Sequence, residues 1–162
     1  MEKNDPIRIR AAREADIPGI LRLLSQVLEV HASLRPDLFV SGTTKYNAGE
    51  LKMILADERR PIYVALDEAG DVVGYAFCMR EQQPASPNLV PFDYLYIDDL
   101  CVDESCRGHH VATRIFEYVK AEAIRFGCRE ITLNVWEGND AALRFYQNAG
   151  FLPRKTMMEY HL

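Results

Sequence analysis

Apolar and charged residues alternate along residues 7–12 (IRIRAA), a period of two that predicts a first strand. The period then lengthens. Ile17, Ile20, Leu21, Leu24, Val27 and Leu28 recur at helical spacing, with Asp16 placed to cap the helix and Pro18 acceptable in its first turn. Residues 31–44 contain Pro36 and Gly42 and read as a loop, and a second helix is expected over about 45–57, with Tyr46, Leu51, Ile54 and Leu55 on its apolar side. Residues 61–80 form two β-rich runs around DEAGD, a hairpin, and 81–91 carry three prolines and read as an irregular excursion. FDYLYIDDLCV (92–102) is the strongest strand in the chain. A small-residue turn leads from it into a helix reaching about Phe126, with the stripe Ala112, Ile115, Phe116, Val119, Ala123 and Phe126. A strand over 127–135 after a glycine C-cap, a short helix from Asn139 to Gly150 and a final strand in RKTMMEYHL complete the pattern. The order β-α-α-β-β-β-α-β-α-β indicates an α/β fold with a mixed sheet, in which residues 92–135 make a right-handed parallel crossover.

At 162 residues the expectation is a single domain, 1–162. The net charge of −5 speaks against a nucleic-acid surface, which needs clustered Lys and Arg, and favours cationic ligands as a long-range bias. No apolar run approaches the ~20 residues of a membrane span, so no membrane partner is expected. The N-terminal stretch lacks the apolar core of a signal peptide. Cys78, Cys101, Cys106 and Cys128 show no CxxC pairing, so reduced thiols in a cytoplasmic protein are expected.

Candidate chemistry starts at SCRGHHVATRI (105–115). A helix N-terminus directs unpaired N–H groups and partial positive charge outward and so binds anions. Arg107 adds a charge able to grip phosphate in a bidentate way, and Gly108 admits close approach of the backbone. A Walker loop is excluded because no Gly-Lys-Ser/Thr follows, and the spaced glycines of a Rossmann turn are missing. The turn alone also fits a helix that merely starts after a sheet strand. Cys101, Cys106, His109 and His110 lie close in sequence, but a buried strand cysteine beside a helix N-terminus that repels cations does not favour zinc, and no metal is expected.

Taken with NVWEGNDAALRFYQNAGF (134–151), the turn makes the chain resemble the GNAT superfamily of acyl-CoA-dependent N-acyltransferases. The superfamily's Arg/Gln-x-x-Gly-x-Gly/Ala loop corresponds to Arg107-Gly108-His109-His110-Val111-Ala112, and its second block to Asn139 followed by Phe145-Tyr146-Gln147-Asn148-Ala149-Gly150-Phe151. The resemblance implies an α/β (α+β) fold: a mixed, mostly antiparallel sheet of six to seven strands, about four flanking helices, and splayed parallel strands forming a CoA cleft. It implies acetyl-CoA as cosubstrate, held by Leu100, Cys101, Val102, Arg107, Gly108, His109, His110, Val111, Ala112, Thr113, Asn139, Ala142 and Tyr146. A homodimer paired through the C-terminal strands is compatible with it. His110 departs from the pattern, standing where a glycine is usual; a Cβ there is tolerable if the residue keeps helical dihedrals with its side chain turned outward, and CoA binding is expected to survive in weakened form.

The implied reaction moves an acyl group from a thioester to an amine. An alkylammonium of pKa ~10.4 must lose a proton, at a cost of about 4–5 kcal/mol at pH 7, and a base or a water chain eases that step. Asp98 and Asp99 are the candidates. Only one can face the cleft unless a bulge intervenes; Asp98 is preferred as base and Asp99 as substrate ligand. The resemblance implies that backbone N–H groups near Leu100–Val102 stabilise the oxyanion, and that Tyr146 protonates the CoA thiolate, a transfer uphill by about 2 kcal/mol at ordinary pKa values. Asn139 doubles as an N-cap. His31, Asp37, Phe39, Tyr63, Tyr96 and Trp136 are candidates to line the pocket of a small-molecule or peptide amine. Two other readings stay open: a non-catalytic acyl-CoA-binding module, and a phosphate-binding regulator without CoA.

Overall fold

The structure is a computed structural model, and it describes residues 7–162. Five strands follow one another across a single sheet in chain order: β1 (Arg8–Ala11), β2 (Ile62–Leu66), β3 (Val72–Gln83), β4 (Phe92–Val102) and β5 (Glu130–Leu133). All neighbours are antiparallel except β4 and β5, which are parallel. The helices are α1 (Ile17–Leu34), α2 (Ala48–Leu55), α3 (Val111–Arg125) and α4 (Asp140–Asn148). As the pattern predicts, α3 is the crossover between the two parallel strands.

Burial on both sides fixes this arrangement. Ile20, Leu23, Leu24, Leu51 and Ile54 of α1 and α2 cover one face, packing on Val64, Leu66, Tyr75, Phe77 and Cys101. Val111, Ile115, Phe116, Val119 and Ala123 of α3 cover the other, against Ala65, Ala76, Leu95 and Ile97. Each large side chain so buried contributes about 1.5–3 kcal/mol, so a strand with both faces covered reads as a continuous apolar run, as β2 does. At Gly74 a Cβ would lie 2.7 Å from Ile115 Cδ1 and 3.1 Å from the Cys101 carbonyl oxygen. The missing side chain lets the start of α3 sit directly on β3.

Several expectations are corrected. Among the described residues the six to seven strands are five, because RKTMMEYHL pairs with no strand. Pro153 cannot donate to a ladder, and from Leu152 onward the chain leaves the sheet with Leu152, Met157, Met158 and Tyr160 exposed. The helix α1 continues through His31 to Leu34, so the loop predicted from residue 31 is shorter. The second helix begins at Ala48, where Asn47 and Glu50 form a reciprocal capping box. Asp16 stands at the α1 N-cap but binds Arg10 and the Arg13 N–H instead of a helix amide. The excursion after β3 narrows to residues 84–91, since the hairpin pairing runs out to Gln83 and Phe92.

Candidate active site

The register of β3 against β4 slips by one residue at Phe77/Cys78: Phe77 pairs with Asp99 and Cys78 with Ile97, so Asp98 is the extra residue of a bulge. A bulge puts two consecutive side chains on one face. Before it, Leu95 and Ile97 point toward α3; after it, Cys101 points toward α1. Asp98 and Asp99 therefore both face the α1/α2 side, where Asp98 meets Lys45 of the α1–α2 loop (2.6 Å) and Asp99 accepts from the Tyr75 hydroxyl (2.6 Å).

The strands part at the same place. Pairing between β4 and β5 ends at Ile97 and Leu133, so Asp98–Val102 keep β3 on one side and have no strand on the other. Alternate backbone N–H groups of this stretch face the gap, as an oxyanion site requires. Asn134 Nδ2 donates to the Tyr96 hydroxyl (3.0 Å) across the fork.

Burial pushes Asp99 up to about 6, while the Tyr75 hydroxyl and Lys45 pull the other way. A carboxyl so tuned changes protonation near neutrality. Lys45 is held charged by Asp98 against its own desolvation, with Asp99 adding to the attraction. Tyr146, half-buried and packed edge-on to Phe151 at 5.5 Å between ring centroids, has its pKa raised by burial and by the Asp99 charge. It stays a phenol, but giving its proton to a thiolate is steeper than the ~2 kcal/mol expected at ordinary pKa values.

The turn after β4 is tied down from beneath. Asp103, buried, accepts from Ser105 N–H (3.0 Å) and Ser105 Oγ (2.8 Å) and pairs with Arg22 of α1, whose other nitrogen donates to the Val72 carbonyl (2.7 Å). Arg22 holds the Asp103 carboxyl down to about 2. Above this anchor Arg107, Gly108, His109 and His110 are exposed. The first helical bond runs from Arg114 N–H to the His110 carbonyl (3.1 Å), so the amides of Val111, Ala112 and Thr113 have no partner within the helix. His110 does not keep helical dihedrals: its φ is +59°, a left-handed conformation that glycine adopts most easily. The loop therefore keeps a glycine-like path, and the imidazole is accommodated by strain rather than by rotation. Gly108 (φ +80°) has open space where a Cβ would stand.

The model of the acetyltransferase (GNAT) family matches residues 27–151, more than half of the chain. The chain belongs to the GNAT acetyltransferase family. N-alpha-acetyltransferase 30 of Saccharomyces cerevisiae is 37% identical over 67 residues, which are 41% of this chain and 38% of that protein. The chain thus spans well under half the length of this curated relative. A mutant of the BH1408 protein from Bacillus halodurans has the same fold with a TM-score of 0.92 and 32% identity, over 96% of this chain and 99% of that one. An aminoglycoside N-acetyltransferase, AAC(6')-Iy, in complex with CoA, shares the fold with a TM-score of 0.71 at 17% identity, over 96% of this chain and 98% of that one.

The residues expected to line an amine pocket in this GNAT protein divide. His31, Phe39 and Trp136 form one aromatic group, with ring centroids 5.2 Å apart for the first pair and 5.4 Å for the second. Burial and the Lys45 charge lower the His31 pKa, which keeps its imidazole neutral at pH 7. Asp37 instead turns to Arg35, which also binds Glu159 of the C-terminal tail. Tyr63 does not reach the cleft: it is buried on the α3 side with its hydroxyl on Glu122 (3.2 Å), because β2 alternates faces and Tyr63 takes the inner one. Asn139 caps α4 by accepting from Ala142 N–H (3.4 Å). Sequence reasoning missed Lys45, Tyr75, Arg22 and Asp103. The run Asp98-Asp99-Leu100-Cys101-Val102-Asp103 carried a hint of the last, but the partners come from α1, β3 and a loop 24 to 81 residues away.

Proposed function

We propose that the protein transfers the acetyl group of acetyl-CoA to a primary amine of a small molecule or peptide by direct attack, without a covalent acetyl-enzyme. The observation that carries this reading is the bulge, which sets two carboxylates side by side where β4 and β5 part, on the strand that leads into the turn before α3. The amides of Val111–Thr113, with Arg107 and the Gly108–His110 backbone, would hold the diphosphate. Amides of Leu100–Val102 would meet the thioester carbonyl.

The sequence preference for Asp98 as base is reversed in this proposal. Asp98 is the anchor for a cationic acceptor, as its ion pair with Lys45 suggests, and Asp99, set near 6, removes the proton. Tyr146 then protonates the leaving thiolate. The aromatic group His31, Phe39 and Trp136 and the Tyr46 ring supply walls suited to an ammonium-bearing ligand. The protein is further proposed to work as a dimer: an exposed tail with alternating apolar residues and the free outer edge of β5 are complementary between two copies.

A thiol-release assay with acetyl-CoA and a panel of polyamines, aminoglycosides, amino acids and peptides tests the reading. Release that depends on one amine class, with the acetylated amine identified by mass, is expected. CoA binding without release on any amine would replace it with the non-catalytic module.

A further inference from the structure

Lys45 brings a primary amine to the acidic bulge of β4. Its Nζ lies 2.6 Å from Asp98 Oδ2 on the bulge and 5.4 Å from the centroid of the Tyr46 ring. Its side chain is 48% exposed, so solvent and solutes can reach it. It is carried by residues 43–47, outside any helix or strand, which can shift without breaking a ladder. Asp99 follows Asp98 on the same face of the bulge, and its charge acts on both Lys45 and Tyr146. Lys52 and Lys120 pair with Glu14 and Glu117, outside it.

We propose that Lys45 is an internal acceptor: with acetyl-CoA bound and no external amine in the cleft, the protein acetylates its own Lys45. The inference rests on the transferase reading above. The ammonium gives a proton to Asp99, and the neutral Nζ attacks the thioester carbonyl. An N–C bond forms, the C–S bond breaks, and Tyr146 protonates the departing thiolate. The second amine proton goes to the phenolate so formed, and the Asp99 proton to solvent. The products are an amide, CoA thiol and one proton. The amide carries no charge, so Asp98 loses its internal partner and becomes available to a cationic acceptor.

The full chain is incubated with acetyl-CoA alone and followed by intact mass and peptide mapping. One acetyl group on the peptide carrying Lys45 is expected, with a rate constant independent of protein concentration and lowered at least about tenfold in a folded Tyr146→Phe variant. A folded Lys45→Arg variant gains no acetyl group on that peptide. Acetylation spread over Lys52, Lys120 and Lys155 at rates similar to Lys45 marks simple chemical acetylation and overturns the proposal. If added amines are turned over while Lys45 stays unmodified, the internal acceptor is wrong and the transferase reading stands. If neither is acetylated, both fall.

Discussion

Replacing Asp99 by Asn separates what the cleft needs for chemistry from what the fold would prefer. Burial moves this carboxyl from 3.8 to about 6, roughly two pKa units, or about 3 kcal/mol of preference for the neutral form. An acid whose pKa is raised on folding costs nothing while protonated in both states, below about 4. The cost grows as pH rises from there to about 6 and is constant above. Asn is neutral throughout and its oxygen can still accept the Tyr75 hydroxyl, which lies 2.6 Å from the Asp99 carboxylate. The variant should match the wild type near pH 4 in urea denaturation and exceed it by up to about 3 kcal/mol at pH 8, with kcat/KM lower by about a hundredfold or more. Wild-type kcat/KM should rise with pH through a midpoint near 6. A variant less stable than wild type at pH 8, or a stability gap that does not change with pH, would refute the claim that Asp99 is a strained buried acid.

Three further outcomes follow from the geometry. Tyr146→Phe should lower kcat by about a hundredfold while calorimetry gives an unchanged CoA Kd; equal turnover would remove the hydroxyl from proton transfer. His110→Gly relieves about 1 kcal/mol of left-handed strain but adds a similar loss of backbone entropy on folding. Its melting temperature should therefore move little, and its CoA Kd should stay level or fall; loss of CoA binding would show that the imidazole is a ligand. Gly74→Ala drives a methyl group to 2.7 Å from Ile115 Cδ1. It should cost about 1–3 kcal/mol in chemical denaturation and weaken CoA binding by displacing the start of α3.

Most of the frame was legible because periodicity reports burial. The alternation of β1, the stripe of α3 with Ile115, Phe116, Val119 and Ala123 on one side, and the capped start of α4 at Asn139 all appear where the pattern places them. The last strand was not legible, because alternation shows which side chains share a face and not whether an edge is there to pair with. His31 was misplaced in a loop, since nothing before Pro36 stops the helix. The acidic pair was visible as Asp98-Asp99, but its shared facing depends on a register slip against β3, a non-local fact. The ligands that tune it, Lys45 and Tyr75, are brought in by packing. Tyr63 misled because a strand residue's face depends on which neighbours cover it.

The proposed chemistry depends on the turn before α3 holding acetyl-CoA with its thioester at the fork beside Asp98 and Asp99. Backbone amide NMR during titration with CoA tests it most directly. Large, saturable shifts are expected at Gly108–Thr113 and Leu100–Val102. Saturating CoA that left those amides unmoved, or moved only the hollow lined by Ile7, Arg8, Ile9, Arg114, Glu117 and Tyr118, would contradict it.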